Sequence, residues 1–487
     1  MTVDRVIKVA LENNPNIDVE LLRSAYEFAD MAHYGQKRKS GESYIQHCLH
    51  TAFELAQIKA DQDTIVAGIL HDVPEDTNYS LDDIEDHFGP EVAKLVGGIT
   101  KLGKIKYRGI ERYKENLKRM FIAMAEDIRV IFIKFSDRLH NLRTLDSLPP
   151  DKQIRIAKET LEIYAPIAGL LGIWRMKWQM EDICFKYLQP EEYKRYEYKY
   201  EIDKRAERNQ LIQKIKQKLS KELRENGLTE FNIEGRFKHL YSIYQKMQNK
   251  NRKFDEIYDV FALRIIVPTV HDCYKVLGII HNTWKPKAKR FKDYISVPKP
   301  NGYQSLHTTI FGPEGKAIEF QIRTQEMHDQ AVYGIAAHWH YKNKNLDKTD
   351  KTQPKWIQEV LNIQRDTKDI DDFVSKIKFD IFQDRIFVFS PKGDVFELPE
   401  DSTPIDFAYA VHTDIGNKAT GVLINDKIST LDASLRNGDL VEILIEKNRK
   451  NPNPDWIKFV KTKHAKDRIR QFSKKSKLPT LKRIIGM

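Results

Sequence analysis

Apolar side chains recur every three or four residues through the first part of the chain, as in AYEFADMAHYG, TAFELAQIKA and DTIVAGILHD. That spacing predicts helices throughout residues 1–195, each with one face to bury. Residues 196–230 keep the helical pattern but are densely charged and stop at Gly227, which predicts a helical connector. The period then shortens. FNIEGRFKH, VFALRIIVP and AIEFQIRT read as strands set between helical stretches, so 231–345 is an α/β block. A polar stretch beginning NKNLDKTDKTQPK leads into a linker over 346–383. Residues 384–446 open with DRIFVFSPKGDVFELP, two alternating runs joined at Pro391-Lys392-Gly393, a hairpin signal. They close on LRNGDLVEILI, a further strand, and 447–487 form a basic tail.

Composition narrows the class. The 487 residues suffice for two to four domains with cores of their own. No apolar run approaches the ~18 residues of a membrane span, and MTVDRVIKVALENN carries charges where a signal peptide needs an apolar core. Cys48, Cys184 and Cys273 lie far apart without a CxxC pair, which excludes a disulfide framework and a cysteine-built zinc site. A cytoplasmic location without membrane contact is the expectation. The net charge of +11 is uneven: residues 201–350 carry 27 basic against 18 acidic side chains, and the last 37 carry 11 against 2. Two separate anionic partners fit that distribution.

Chemistry first shows in the helical block, where His47, His71-Asp72 and Asp137 follow in order. Two imidazoles and two carboxylates suit a borderline-to-hard divalent ion such as Mn²⁺, Zn²⁺ or Fe²⁺. His71 and Asp72 close an apolar helix, and Glu75 and Asp76 follow within one turn, placed to orient or deprotonate a water beside the ion. Asp137 is expected to begin a helix whose next turns bring Asn141 and Thr144 to the same side.

A second group lies in the α/β block. AIEFQIRT puts Glu319, Gln321 and Arg323 on one strand face and Ile318, Phe320 and Ile322 on the other. GRFKHLYSIYQKM puts Arg236 and Lys238 on one face of another strand, then Ser242 and Lys246 one turn apart on a helix. Cations at this density suit a polyphosphate. The loop KRFKDYISVPKPNGYQSLHT offers Tyr303 as a flat face for a base. The phosphate-loop pattern GxxxxGK[ST] is missing, so this is not a P-loop enzyme.

RKSGESYIQH, HDVPEDT and DRLHNLRTL resemble the hydrolase domain of the Rel/SpoT family of alarmone enzymes. NGYQSLHT, EFQIRT and AAHWHYK resemble its synthetase domain, and 384–446 resembles a TGS domain. The resemblance covers about 30–460 and implies an all-α HD-type domain, an α/β nucleotidyltransferase-like domain and a small β-grasp-like TGS domain. It implies removal of the 3′-pyrophosphate from (p)ppGpp with Mn²⁺ on His47, His71, Asp72 and Asp137. Glu75 and Asp76 would serve the water, and Arg38, Asn141 and Thr144 the nucleotide; Pro74 stands where the family often has another small apolar residue. It further implies pyrophosphoryl transfer from ATP to the 3′-hydroxyl of GDP or GTP, with Mg²⁺ on Asp259 and Glu319 and with Glu319 taking the hydroxyl proton. Arg236 and Arg264 would flank the adenine, with Lys238, Ser242 and Lys246 near the ATP phosphates. Tyr303 would stack on guanine, and Lys292, Lys299, Asn301 and His307 would line the acceptor side. Arg290-Phe291-Lys292-Asp293 matches the basic RxKD form of bifunctional members.

In the TGS-like block the resemblance points to His412, in the AVHTDIG turn, as a contact for the 3′ end of a tRNA on the ribosome. The tail mixes Trp456 and Phe459 with lysines and arginines, which suits RNA phosphates or the start of a helical regulatory region. Full-length family members usually continue into further regulatory modules.

Overall fold

The computed structural model describes residues 1–103, 118–124, 126–202, 205–250, 261–288, 290–299, 302–315, 317–334, 385–436, 438–446, 449 and 451–472. The chain divides into two compact units, 1–366 and 367–487.

The first unit opens with helices α1 (Val3–Asn13), α2 (Val19–Ala32), α3 (Ile45–Gln57), α4 (Gln62–Leu70), α5 (Val73–Asp76), α6 (Leu81–Phe88) and α7 (Pro90–Gly103). After them come α8 (Arg129–Arg143), α9 (Pro150–Glu159), a π-turn at Thr160–Tyr164, α10 (Ala165–Leu170) and α11 (Trp174–Leu188). Asp18 and Asp61 each accept a backbone N–H at their helix start, and Ser80 with Asp83 forms a reciprocal capping box. Leu49, Leu55, Ile65, Ile69, Ile131 and Phe135 are sealed from water where α3, α4 and α8 meet, each burial contributing about 1.5–3 kcal/mol. Gly68 permits that contact, because a Cβ there would stand 2.3 Å from Leu55 Cδ1. Pro74 falls in the first turn of α5, where a missing N–H costs nothing.

Two sequence expectations change here. Asp137 does not begin a helix; α8 starts at Arg129, and Asp137 sits in its middle. The run VIFIKF is buried nearly all round, so it has no polar face to mark the helix start. The charged connector is two helices, α12 (Pro190–Ile202) and α13 (Arg205–Glu225). It is also not free-standing: Ile215, Leu219 and Leu223 of α13 are buried in the core of the α/β block.

That block contains β1 (Asn232–Phe237), α14 (Leu240–Lys250), β2 (Phe261–Val267), α15 (Val270–Thr283), β3 (Lys292–Asp293), β4 (Leu306–Phe311), β5 (Ala317–Thr324) and α16 (Gln325–Tyr333). The sheet order is β1-β2-β5-β4-β3, with β2 and β5 parallel and the other pairs antiparallel. One face packs Leu263, Ile265, Phe320 and Ile322 against α13 and α15. The opposite face carries Arg264, His307, Glu319, Gln321 and Arg323, as alternation requires. β1 ends at Phe237, so Lys238 lies just past the strand that carries Arg236. Arg236 is on β1, and its side chain is not described. Gly334 (φ +60°) closes α16 against the helical block; a Cβ there would stand 2.1 Å from the Leu171 carbonyl oxygen. Lys59 Nζ meets Asp329 Oδ2 at 3.0 Å beside it.

The second unit has β6 (Arg385–Phe389) and β7 (Val395–Pro399) as a hairpin, then α17 (Pro404–Val411) and α18 (Thr413–Lys418). β8 (Ala419–Ile424), β9 (Lys427–Ser429) and β10 (Val441–Ile445) form an antiparallel sheet in the order β10-β8-β9. Phe407, Val388, Val422 and Val441 fill its core. The segment expected as a basic tail is partly built into this unit. Trp456, Val460 and Ile469 pack on Ile405 and Tyr409, and buried Asp406 accepts the Lys461 and Thr462 N–H groups at 3.0 and 2.7 Å. Trp456 is therefore committed to the core and not offered to a base. The expected linker over 346–383, Asp259 and Asn301 lie outside the described residues.

Candidate functional sites

Four helices bring the imidazole–carboxylate set together. His47 comes from α3, His71 from the end of α4, Asp72 from the start of α5 and Asp137 from α8. Ligand atoms of His47, His71 and Asp137 lie within 4.8 Å of one another. Asp72 Oδ2 joins them, 3.3 Å from His47 Nε2 and 3.2 Å from His71 Nε2. Both Nε2 atoms are buried, and neither makes a hydrogen bond despite the adjacent oxygens. Lone pairs that converge without bonding one another are what a bound cation requires.

The surroundings fix the tautomers. His71 Nδ1 donates to the Gly68 carbonyl at 3.0 Å, leaving its Nε2 lone pair for the cluster. Arg38 Nη1 donates to His140 Nδ1 at 3.0 Å, so that nitrogen is an acceptor and His47 Nδ1, 2.9 Å away, donates to it as well. Burial, then the neighbouring His47, pushes His140 down to about 2, so it stays neutral. Burial opposes ionisation of Asp72 and Asp137, but the histidines beside Asp72, and chiefly Lys134 beside Asp137, hold both carboxyls well below the usual range. These residues fit a divalent cation of the borderline-to-hard class.

Around the cluster, Arg38 Nη2 donates to Asn141 Oδ1, and Asn141 Nδ2 to Asp137 Oδ1, so the proposed nucleotide residues are wired to a proposed ligand. The Thr144 hydroxyl, at the end of α8, donates to the His140 carbonyl at 3.2 Å. Glu75 and Asp76 are exposed at the rim; burial and then the Asp72 charge raise the Glu75 pKa. Two residues escaped the sequence reading. The Tyr44 hydroxyl lies 2.9 Å from Asp72 Oδ2 and 2.5 Å from Asp76 Oδ2, and its ring stacks on His33 at 4.5 Å. Lys134 Nζ lies 2.7 Å from Asp137 Oδ2. The only signal for either was its place three residues before a proposed ligand.

The second site is a cleft of about 580 Å³ on the polar face of the five-stranded sheet. Of the predicted residues it gathers Lys246, Arg264, Lys292, Lys299, Tyr303, His307 and Glu319; Lys238 and Ser242 are not among its walls. Tyr303 Oη lies 2.8 Å from His307 Nε2, and His307 Nδ1 lies 3.2 Å from Glu319 Oε1. A phenol donating to one imidazole nitrogen leaves the other to donate to the carboxylate, which aims Glu319. Burial lowers the His307 pKa, but Tyr303 and Glu319 together leave it raised. Gln321 Nε2 donates to Glu319 Oε1 at 3.0 Å. Among the cleft's walls, cations far outnumber carboxylates; Arg323 of the polar strand face and Arg290 of the RxKD segment line it too, with Lys287 added to those expected. Trp174, Arg175 and Trp178, from α11 of the helical block, also line it and were not foreseen.

In the second unit His412 is exposed at the start of α18. Its Nδ1 accepts the Asp414 N–H at 3.2 Å, which leaves Nε2 as the ring donor. Among the described residues, no helix is long and apolar enough to cross a membrane.

An all-helical imidazole–carboxylate cluster and a cation-lined mixed sheet in one chain define a multidomain protein with two separate polar sites. Residues 25–174 match the HD domain family, 235–346 the region found in RelA / SpoT proteins and 386–445 the TGS domain family. The chain is 47% identical over 464 residues to a probable guanosine-3′,5′-bis(diphosphate) 3′-pyrophosphohydrolase of Synechocystis sp., covering 94% of this chain and 61% of that one. It is 46% identical over 467 residues to a GTP pyrophosphokinase of Myxococcus xanthus, with coverages of 95% and 61%. A guanosine-3′,5′-bis(diphosphate) 3′-pyrophosphohydrolase of Vibrio cholerae is 44% identical over 477 residues, with 97% of this chain and 67% of that one aligned. This chain belongs to the RelA/SpoT family. It spans about three fifths of the length of the first two of these relatives.

Proposed function

We propose that the chain both makes and destroys (p)ppGpp. The observation that carries this is the presence, in one compact unit, of a buried lone-pair cluster fit for a cation and a separate cation-lined cleft with an oriented carboxylate. In the hydrolase half His47, His71, Asp72 and Asp137 would hold Mn²⁺. When bound, the ion supplies Lewis acidity and makes water a good nucleophile near neutral pH. Glu75, at the rim and with a raised pKa, is placed to hold the water proton, while Tyr44 keeps Asp76 against Asp72. Arg38 and Asn141 would grip the nucleotide, with Thr144 beside them. The products are GDP or GTP and pyrophosphate.

In the synthetase half Glu319 takes the 3′-hydroxyl proton of GDP or GTP as that oxygen attacks the β-phosphorus of ATP; the bond from that phosphorus to the α-phosphate oxygen breaks, AMP leaves, and His307 keeps the carboxylate aimed. Asp259 and Glu319 would hold Mg²⁺. Lys246 and Arg264 would meet the donor, with Arg236, Lys238 and Ser242 nearby, and Tyr303 would take the guanine among Lys292, Lys299, Asn301 and His307. A cytoplasmic location fits an enzyme that works on these nucleotides. His412, exposed and with its Nδ1 accepting the Asp414 N–H, would meet a tRNA end on the ribosome.

The test is direct. Purified chain given labelled ATP, GDP and Mg²⁺ should yield ppGpp; given ppGpp and Mn²⁺ it should yield GDP and pyrophosphate. Failure of either half refutes that half.

A further inference from the structure

The carboxyl groups proposed to handle the water sit on a weak element. α5 is four residues long, buries Val73 and leaves Glu75 and Asp76 exposed. A helix so short does not hold itself in water. Its support comes from the loop that precedes α3. Gly35 (φ +77°) turns the chain, and residues 36–44 close as a hairpin, with the Arg38 N–H on the Glu42 carbonyl at 2.9 Å and the Tyr44 N–H on the Gln36 carbonyl at 3.1 Å. From the base of that hairpin Gln36 Nε2 donates to the Asp76 carbonyl oxygen at 2.8 Å, while the Tyr44 hydroxyl spans Asp72 and Asp76. Gln36 is anchored in turn, its Oε1 lying 2.9 Å from His33 Nδ1. A backbone carbonyl only accepts, so the Gln36 nitrogen faces Asp76, its oxygen faces His33, and Nδ1 carries the proton.

On the hydrolase reading just given, on which this inference rests, we propose that His33 and Gln36 are positioning residues that fix Glu75 and Asp76 on the attacking water. Their side-chain hydrogen bonds run to each other and to the Asp76 backbone, so they act on the turn that bears the carboxyl groups and not on the ion. His33 is 2% exposed, and its Nε2 is buried without a hydrogen-bond partner. Burying an unpaired nitrogen is unfavourable. A phenylalanine would avoid that and still stack on Tyr44, as His33 does at 4.5 Å and 16°. What only the histidine supplies is the Nδ1 donor that orients Gln36. The same hairpin carries Arg38, which reaches Asn141, so the residue proposed to grip the nucleotide and the one that places the water ride on one loop.

The experiment is steady-state hydrolysis of ppGpp with Mn²⁺, beside calorimetric titration of Mn²⁺ and a synthesis assay on the same preparation. Gln36→Met keeps the length of the side chain and loses both amide bonds. Its kcat should fall about 10–100-fold, the scale of a misplaced reacting group. The KM for ppGpp, the Mn²⁺ affinity and synthesis should stay within about twofold of the parent. His33→Phe keeps the stack and loses the donor, and should lower kcat about tenfold in the same pattern. Because His33 acts through Gln36, the double variant should match Gln36→Met alone to within about twofold. An unchanged kcat in Gln36→Met overturns the inference. So does a fall in Mn²⁺ affinity or in synthesis that matches the fall in kcat, which would mark structural damage. Losses that multiply in the double variant overturn the part given to His33. A parent chain that leaves ppGpp intact overturns the hydrolase reading itself, and this inference with it.

Discussion

The imidazole–carboxylate cluster and the sheet cleft differ in how their parts are held. Each group in the cluster is fixed by a second partner: His71 by Gly68, His47 by His140, Asp137 by Lys134 and Asn141, Asp72 by Tyr44. His47 and His71 are each 1% exposed, and protein contacts already fix both rings. The cleft is wider, lined by long cations, and draws walls from two blocks of the chain. A small ion in a buried site gains most from preorganised lone pairs, whereas a nucleotide needs area, charge and room to enter. The two sites should therefore fail differently when altered.

The largest expected effect is in the cleft. Glu319→Gln keeps the shape and the Gln321 contact but removes the base, so synthesis should fall about 10²–10⁴-fold. Hydrolysis of ppGpp should hold, and synthesis surviving within a few-fold would make Glu319 structural. In the cluster, Tyr44→Phe removes one hydroxyl and no ligand. Hydrolysis and Mn²⁺ affinity should drop about 10–100-fold together, the usual cost of losing a partner of a metal ligand. Metal titration calorimetry beside a pyrophosphate-release assay would check this, and unchanged Mn²⁺ affinity would remove Tyr44 from the cluster's support. His307→Gln should lower synthesis about tenfold by freeing Glu319 to turn, with an intact hydrolysis rate as the control.

The smallest effect lies between the sites, at Asp182. Burial raises its pKa to about 6 against the opposing Tyr241 N–H bond. An acid with a raised folded-state pKa binds its proton more tightly when folded, so its effect on stability worsens as pH rises from about 4 to about 6 and is constant above. Asp182→Asn keeps an acceptor for Tyr241 and removes that charge. The variant should be more stable at pH 7.5 by on the order of 1–3 kcal/mol and no more stable near pH 4. Thermal unfolding at both pH values gives the answer, and equal gains at both would reject the ionisation argument.

Much of this was readable in the sequence because the relevant signals were local. Alternation in AIEFQIRT set Glu319, Gln321 and Arg323 on one face, and the cleft gathers all three. Helical spacing put Ser242 and Lys246 on one helix, though only Lys246 reaches the cleft. What was missed depends on tertiary closure. Nothing near Trp178 announces that α11 will reach another domain's cleft. The apolar stripe Ile215, Leu219 and Leu223 was masked by the charges around it, so a wall of the core read as a connector. Trp456 among lysines suits RNA phosphates or the start of a helical regulatory region by sequence alone, whereas the buried carboxylate of Asp406 draws its segment back onto α17.

On the proposed reading one chain carries two separate active sites, the hydrolytic one centred on His47, His71, Asp72 and Asp137. Asp72→Ala tests it most directly, with pyrophosphate release from labelled ppGpp and synthesis from ATP and GDP measured on the same preparation. The account predicts that hydrolysis is lost while synthesis persists at near the parent rate. Undiminished hydrolysis in Asp72→Ala, or loss of both activities in a variant that still folds, would contradict it.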